Sequence, residues 1–256
     1  MYRKMLVLLD GSQLAEVVFP YAKELAGRLD LDVVLLHVYG PPGRDFAPMY
    51  QAYLDHAAGT IKSQARQLQS QLGTAGKPVE VSYELIMGYH ADEILRYADE
   101  NTIDLILMAS HGRSGVKQWT LGGVADKILR AARMPVWLVK SGVENSVPYD
   151  KWPARTLLVP LSGSDVSAGI IPHAKELARQ KGGTKVILLR MVEPPSAPSY
   201  YSPELTGVPL NWGQFVEQEM ARSKEAAQKY LADIVREFKD IGIERNIPIC
   251  YLEELI

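Results

Sequence analysis

Two halves of the chain share one ordered series of segments. MLVLLDGS at 5–12 returns as LLVPLSGS at 157–164, and FPYAKELA at 19–26 returns as IPHAKELA at 171–178, both 152 positions on. VVLLHVYGPP at 33–42 returns as VILLRMVEPP at 186–195, 153 positions on. Three matches in the same order with one net insertion mark a tandem duplication, so the second half must begin whatever fold the first half adopts. The seam falls near SGVENSVPYDKWPAR at 141–155, a polar stretch with two prolines that suits a linker. A first domain over 1–142, a linker over 143–154 and a second domain over 155–256 are therefore expected. EELI at 253–256 pairs with YELI at 83–86, and nothing that follows Ile86 has a second copy. The second domain is expected to stop after its third strand.

Each half opens with a Val- and Leu-rich run, then an amphipathic stretch, then another apolar run, which is the order of βαβ units on a parallel sheet. In the first half strands are expected near 4–9, 32–38, 79–86, 103–109 and 135–140, with helices near 13–29, 50–73, 90–100 and 123–133. A run as uniformly apolar as IDLILMA at 103–109 must be covered on both faces. Right-handed crossovers then give an α/β, doubly wound, Rossmann-like parallel sheet of five strands in the order 3-2-1-4-5, with a partial second copy. Ligands of such sheets bind beyond the carboxyl ends of the strands, where the winding reverses.

At 256 residues, 47% apolar and 23% charged, the chain has room for two ordinary domains with cores of their own. Its net charge of -2 gives no broad electrostatic case for nucleic acid or an anionic membrane. No apolar run approaches the roughly 18 residues that span a bilayer, and MYRKMLVLLDGS reads as a first strand. The single Cys250 can form no internal disulfide and reads as a small buried hydrophobe. A cytoplasmic protein with small, local partners is expected.

The stretch MASHGRSGVKQWTLGGVADKIL at 108–129 holds Gly112, Gly115, Gly122 and Gly123 between an apolar strand and a helix. Val124, Ala125, Ile128, Leu129 and Ala132 recur at helical spacing, which puts Gly122 and Gly123 at the helix N-terminus. Backbone amides there lack partners within the helix and the dipole favours negative charge, so a phosphate can lie against bare backbone. Gly112 and Gly115 would form the opposing turn of such a concavity. The glycines alone fit a tight connection with a helix cap equally well, and neither GxxxxGK[ST] nor a GxGxxG after the first strand is present.

The LLDGS that follows strand one, the LLHV that ends strand two, GYHADEI at 88–94, and ASHGRSG followed by LGG and MPVWLV resemble the universal stress protein family. The resemblance runs over about 3–141 and resumes over 155–256. It implies ATP, with or without Mg²⁺, or another adenine nucleotide in the first domain, bound for sensing or regulation rather than for turnover. The family's ATP loop is a glycine, two residues, a glycine, nine residues, then glycine and serine or threonine. Here it reads Ala109, Ser110, His111, Gly112, nine residues at 113–121, Gly122 and Gly123. Ala109 replaces a glycine, and Gly123 replaces a hydroxyl whose bond to a charged phosphate is worth about 1.5–3 kcal/mol, a loss of about tenfold to a hundredfold in affinity.

By this resemblance Asp10, with Gly11 and Ser12 after it, and Val38 at the end of strand two would contact the nucleoside. Met108 and Ala109 would close strand four beneath it. Gly112 and Gly115 in the loop, and Gly122, Gly123 and Val124 at the helix start, would take the phosphates, while His111 and Arg113, which flank Gly112, would either touch a phosphate directly or stand solvated. Asp10 and Ser12 also have a structural reading, as turn and cap residues before the first helix. The second domain has Ser162 in place of Asp10, Met191 in place of Val38 and no phosphate loop, so it is expected to bind no nucleotide. The histidines show no metal-ligand spacing and no GxSxG elbow occurs, so no metal centre or serine nucleophile is expected, and with no acid, base and metal ligands to position a water on a γ-phosphate an enzyme is not expected beyond slow ATP hydrolysis. His90 would open a helix, and the aromatic-rich 196–215 insertion reads as a surface loop or a lid. VWLV at 136–139 would be an edge strand for self-association, between chains or between domains. A scaffold of the same fold that binds no nucleotide is the alternative, and adenylate chemistry a third reading.

Overall fold

The structure is a computed structural model that describes residues 2–73, 77–112, 121–141, 156–180, 185–192, 212–239 and 249–250. The chain divides into two compact units, Met1–Ser146 and Val147–Ile256.

In the first unit, β1 (Lys4–Leu8), β2 (Asp32–Tyr39), β3 (Val81–Met87), β4 (Leu105–Ala109) and β5 (Val136–Val139) form one parallel sheet in the order β3-β2-β1-β4-β5. This is the doubly wound order expected from the sequence. Met5, Leu6 and Val7 in the central strand are all fully buried, so both faces of the sheet are covered. On one face Leu6, Val34, Leu36 and Ile106 pack with Ala91, Ile94 and Ala98 of α4 (His90–Glu100) and Ala125 and Ile128 of α5 (Gly123–Ala131). The Asp104 carboxylate accepts from the amides of Arg3 and Lys4, which fixes the start of β1 beside β4.

The helix expected near 13–29 is two helices, α1 (Gln13–Glu16) and α2 (Phe19–Leu29). Pro20 is the cause: it has no amide to donate and sits in the first turn of α2, where none is needed. α3 (Ala47–Leu72) starts earlier than expected, with Pro48 in its first turn, and a 3-10 turn over Pro41–Phe46 leads into it.

The second unit repeats the opening of the first. Its β6 (Thr156–Pro160) pairs with β7 (Lys185–Leu189) from Thr156↔Lys185, as β1 pairs with β2 from Lys4↔Asp32. Gly163 takes a positive φ of 87° where Gly11 takes 76°. Ser164 caps α6 (Asp165–Ala168) as Ser12 caps α1. α7 (Ile171–Gln180) and α8 (Trp212–Lys239) follow, with Val159, Val186, Leu188, Leu231 and Phe238 in the core. The third strand is β8 (Ile249–Cys250), and Leu188↔Ile249 repeats Leu35↔Tyr83. The sheet therefore enters its third strand four residues before the point at which EELI matched YELI. EELI itself, the 143–154 linker and 196–211 lie outside the described residues, as does the Cys250 side chain.

Candidate functional site

At the carboxyl ends of β1, β2 and β4 in the first unit lies a cavity of about 520 Å³, within the range of small-molecule sites, about 300–1,000 Å³. The topology puts it there. β2 lies on one side of β1 and β4 on the other, so the connections leaving them diverge and open a crevice.

Asp10, Val38, Met108, Ala109, His111, Gly112, Gly122, Gly123 and Val124 all line this cavity. Residues 100 positions apart in the chain are thus brought to one wall. Gly11 and Ser12 are not on it. Gly11 supplies the left-handed turn, and the Ser12 hydroxyl accepts from the Ala15 amide at 3.2 Å as the cap of α1. Arg113 and Gly115 lie outside the described residues.

Asp10 makes the turn that the sequence allowed. Its Oδ1 accepts from the Ser12 amide at 2.9 Å and from the Ser12 hydroxyl at 2.6 Å. Gly112 is tied to this carboxylate, because a Cβ at 112 would overlap Asp10 Oδ2. The second glycine of the loop therefore makes room for Asp10. Gly122 makes another close approach: its amide donates to the Ser110 carbonyl at 3.1 Å, and a Cβ there would lie 3.3 Å from that oxygen. The loop thus leaves and rejoins the sheet at nearly one point.

Gly122 is the N-cap of α5 and offers no side-chain bond. The amides of Gly123, Val124 and Ala125, in the first turn, have no acceptor within the helix, and all three residues line the cavity. A Cβ on Gly123 would meet nothing within 4 Å. Asp10 is the one carboxylate among the described lining residues, which include no Lys or Arg. The positive end of the wall is therefore the helix N-terminus.

The rest of the wall escaped the sequence reading. His37, Tyr39, Gly40, Pro42, Gly43 and Tyr50 form an aromatic and proline-rich side. The His37 and Tyr50 ring centroids are 4.4 Å apart at 40°, and His37 Nδ1 donates to the Leu9 carbonyl at 2.8 Å. The usable signal was YGPPG at 39–43, a turn sequence directly after a buried strand. His90, the first residue of α4, and Ser110 also line the cavity.

Behind the loop sits a buried polar cluster. Ser110, His111 and Ser141 are 5%, 9% and 2% exposed. The Ser141 amide donates to Ser110 Oγ at 3.0 Å, and Ser110 Oγ lies 3.1 Å from His111 Nδ1. Ser141 Oγ accepts from the His111 amide at 3.1 Å and lies 3.0 Å from the His111 carbonyl. Among the described residues no group of three or more His, Cys, Asp or Glu is placed to hold a metal, and no helix is long and apolar enough to cross a membrane.

The chain is 28% identical over 154 residues to universal stress protein YxiE of Bacillus subtilis, covering 55% of this chain and all of that protein. It is 25% identical over 146 residues to universal stress protein MJ0531 of Methanocaldococcus jannaschii, covering 55% of this chain and 83% of the relative. Over 98% of its length it superposes on 74% of protein PA1789 of Pseudomonas aeruginosa, described as functionally unknown, at a TM-score of 0.59 and 18% identity, a likeness of fold. The profile of the universal stress protein family matches residues 1–140, the stretch that carries the whole cavity wall, and the chain belongs to that family.

Proposed function

We propose that the first unit binds an adenine nucleotide, ATP among them, and acts as a sensor or regulator. The observation that carries this reading is the composition of the wall, which combines three first-turn amides of α5 with Asp10, Val38 and the His37–Tyr50 pair. The amides suit phosphoryl oxygens, which need donors and a favourable dipole. The aromatic side suits a flat base, and Asp10 can accept from ribose hydroxyls or an exocyclic amine. A divalent cation would be held chiefly by the phosphates, since Asp10 is the one described carboxylate on the wall. In this reading the nucleotide is bound for sensing rather than turnover, and the described lining residues assemble no set of acid, base and metal ligands around a water.

Calorimetric titration of the full chain with ATP and Mg²⁺ tests this. Saturable binding that is weakened in Asp10→Ala supports it. No heat and no thermal shift at millimolar ATP would leave a scaffold of the same fold.

We also infer that β5, at one edge of the first sheet, is the surface for self-association. Light scattering that gives the mass of more than one chain supports this, and a monomer at all concentrations contradicts pairing between chains.

A further inference from the structure

The Ser110–His111–Ser141 cluster does more than join β4 to β5. We propose that Ser110 and Ser141 hold His111 as the tautomer protonated at Nε2 and aim that N–H at a phosphoryl oxygen beside the first turn of α5. This rests on the nucleotide reading above.

Donor and acceptor roles allow this tautomer. Ser110 Oγ receives the Ser141 amide, which can only donate. The hydroxyl keeps one proton of its own, and His111 Nδ1 at 3.1 Å is placed to accept it. A neutral imidazole that accepts at Nδ1 carries its proton on Nε2. Ser141 Oγ bonds the amide of His111 and lies within reach of its carbonyl, so the backbone that bears the ring is held as well.

The Nε2 atom is buried and has no hydrogen-bond partner among the described residues. A buried donor left without an acceptor is costly, and a ligand oxygen removes the cost. The place is right for one. The adjoining Cδ2 lies 4.0 Å from where a Cβ of Gly122 would be, so this edge of the ring stands at the N-cap of α5. His111, with its buried Nε2, and Gly123, Val124 and Ala125, with their open amides, all line one cavity. Ser141 and Ser110 are positioning residues here, and the donor is set before any ligand arrives.

Two measurements on the full chain test the proposal. In the nucleotide-free protein, at about pH 8 where imidazole is neutral, two-bond ¹H–¹⁵N spectra should show the His111 proton on Nε2. A proton on Nδ1 overturns the proposal whatever binds. In titrations, Ser110→Ala should weaken ATP about tenfold and leave adenosine unchanged, while Ser110→Thr keeps the hydroxyl and the affinity. His111→Gln carries a fixed amide donor, so Ser110→Ala should cost less than about twofold in that background. Ser141→Ala, which loosens the backbone, should weaken ATP in both backgrounds. Equal losses from Ser110→Ala in both backgrounds, or an equal loss for adenosine, overturn the proposal. Absence of binding by ATP and adenosine alike overturns the functional reading and the ligand assigned to His111, while the tautomer result stands independently.

Discussion

At the scale of single residues, Gly112 and Gly123 have opposite roles within one loop. Gly112 has no room for a side chain because Asp10 fills the space, whereas Gly123 faces open space in the cavity. Gly112→Ala should therefore displace the Asp10 carboxylate and lower ATP affinity by about tenfold, but cost little more in an Asp10→Ala background; calorimetry on the four proteins reads the coupling. Gly123→Ser should bind ATP about tenfold more tightly than the natural chain, by adding a hydroxyl bond to a charged oxygen; unchanged affinity would mean that no phosphate lies beside position 123. Asp10, Val38, Gly112 and Gly122 were legible because contiguous motifs carry them. His37, Tyr39 and Tyr50 were not, because strand pairing and the entry into α3 bring them to the cavity. Ser141 escaped for the same reason: its partners lie 30 residues away in sequence.

At the scale of elements, caps and breaks decide what the periodicity alone left open. The apolar spacing over 13–29 reads as one helix, and only the missing amide of Pro20 explains why the chain restarts at Phe19. Ser12 closes the first piece, so Ser12→Ala should cost about 1 kcal/mol of stability in denaturant unfolding. Its effect on ATP affinity should be smaller than that of Asp10→Ala, because the Ser12 amide still holds Asp10 Oδ1. In the second unit, burial pushes the pKa of His173, on α7, below its ordinary 6.5. A depressed folded pKa means that its stabilising contribution is complete above the unfolded value and lost as the pH falls through the folded one. Thermal melts between about pH 7 and pH 5 should show a steeper loss of stability for the natural chain than for His173→Gln.

At the scale of the whole molecule, the two units share their opening and diverge beyond it. The β1–β2 register, the left-handed glycine and the serine cap recur because they are local or depend on neighbouring strands. The covering of the sheet does not recur among the described residues: Leu6 is 0% exposed beneath α4 and α5, while its counterpart Leu158 is 54% exposed. The helix whose N-terminus completes the first unit's site likewise has no described counterpart in the second. Sheet order was legible because uniformly apolar strands separated by helices allow few windings. The point of entry into β8 was not, because a four-residue match cannot fix register. If the first-turn amides of α5 meet phosphate, amide NMR of the full chain should show the Gly123, Val124 and Ala125 resonances shifting on adding ATP and staying nearly still with adenosine; ATP binding that leaves all three unmoved would rule out that contact.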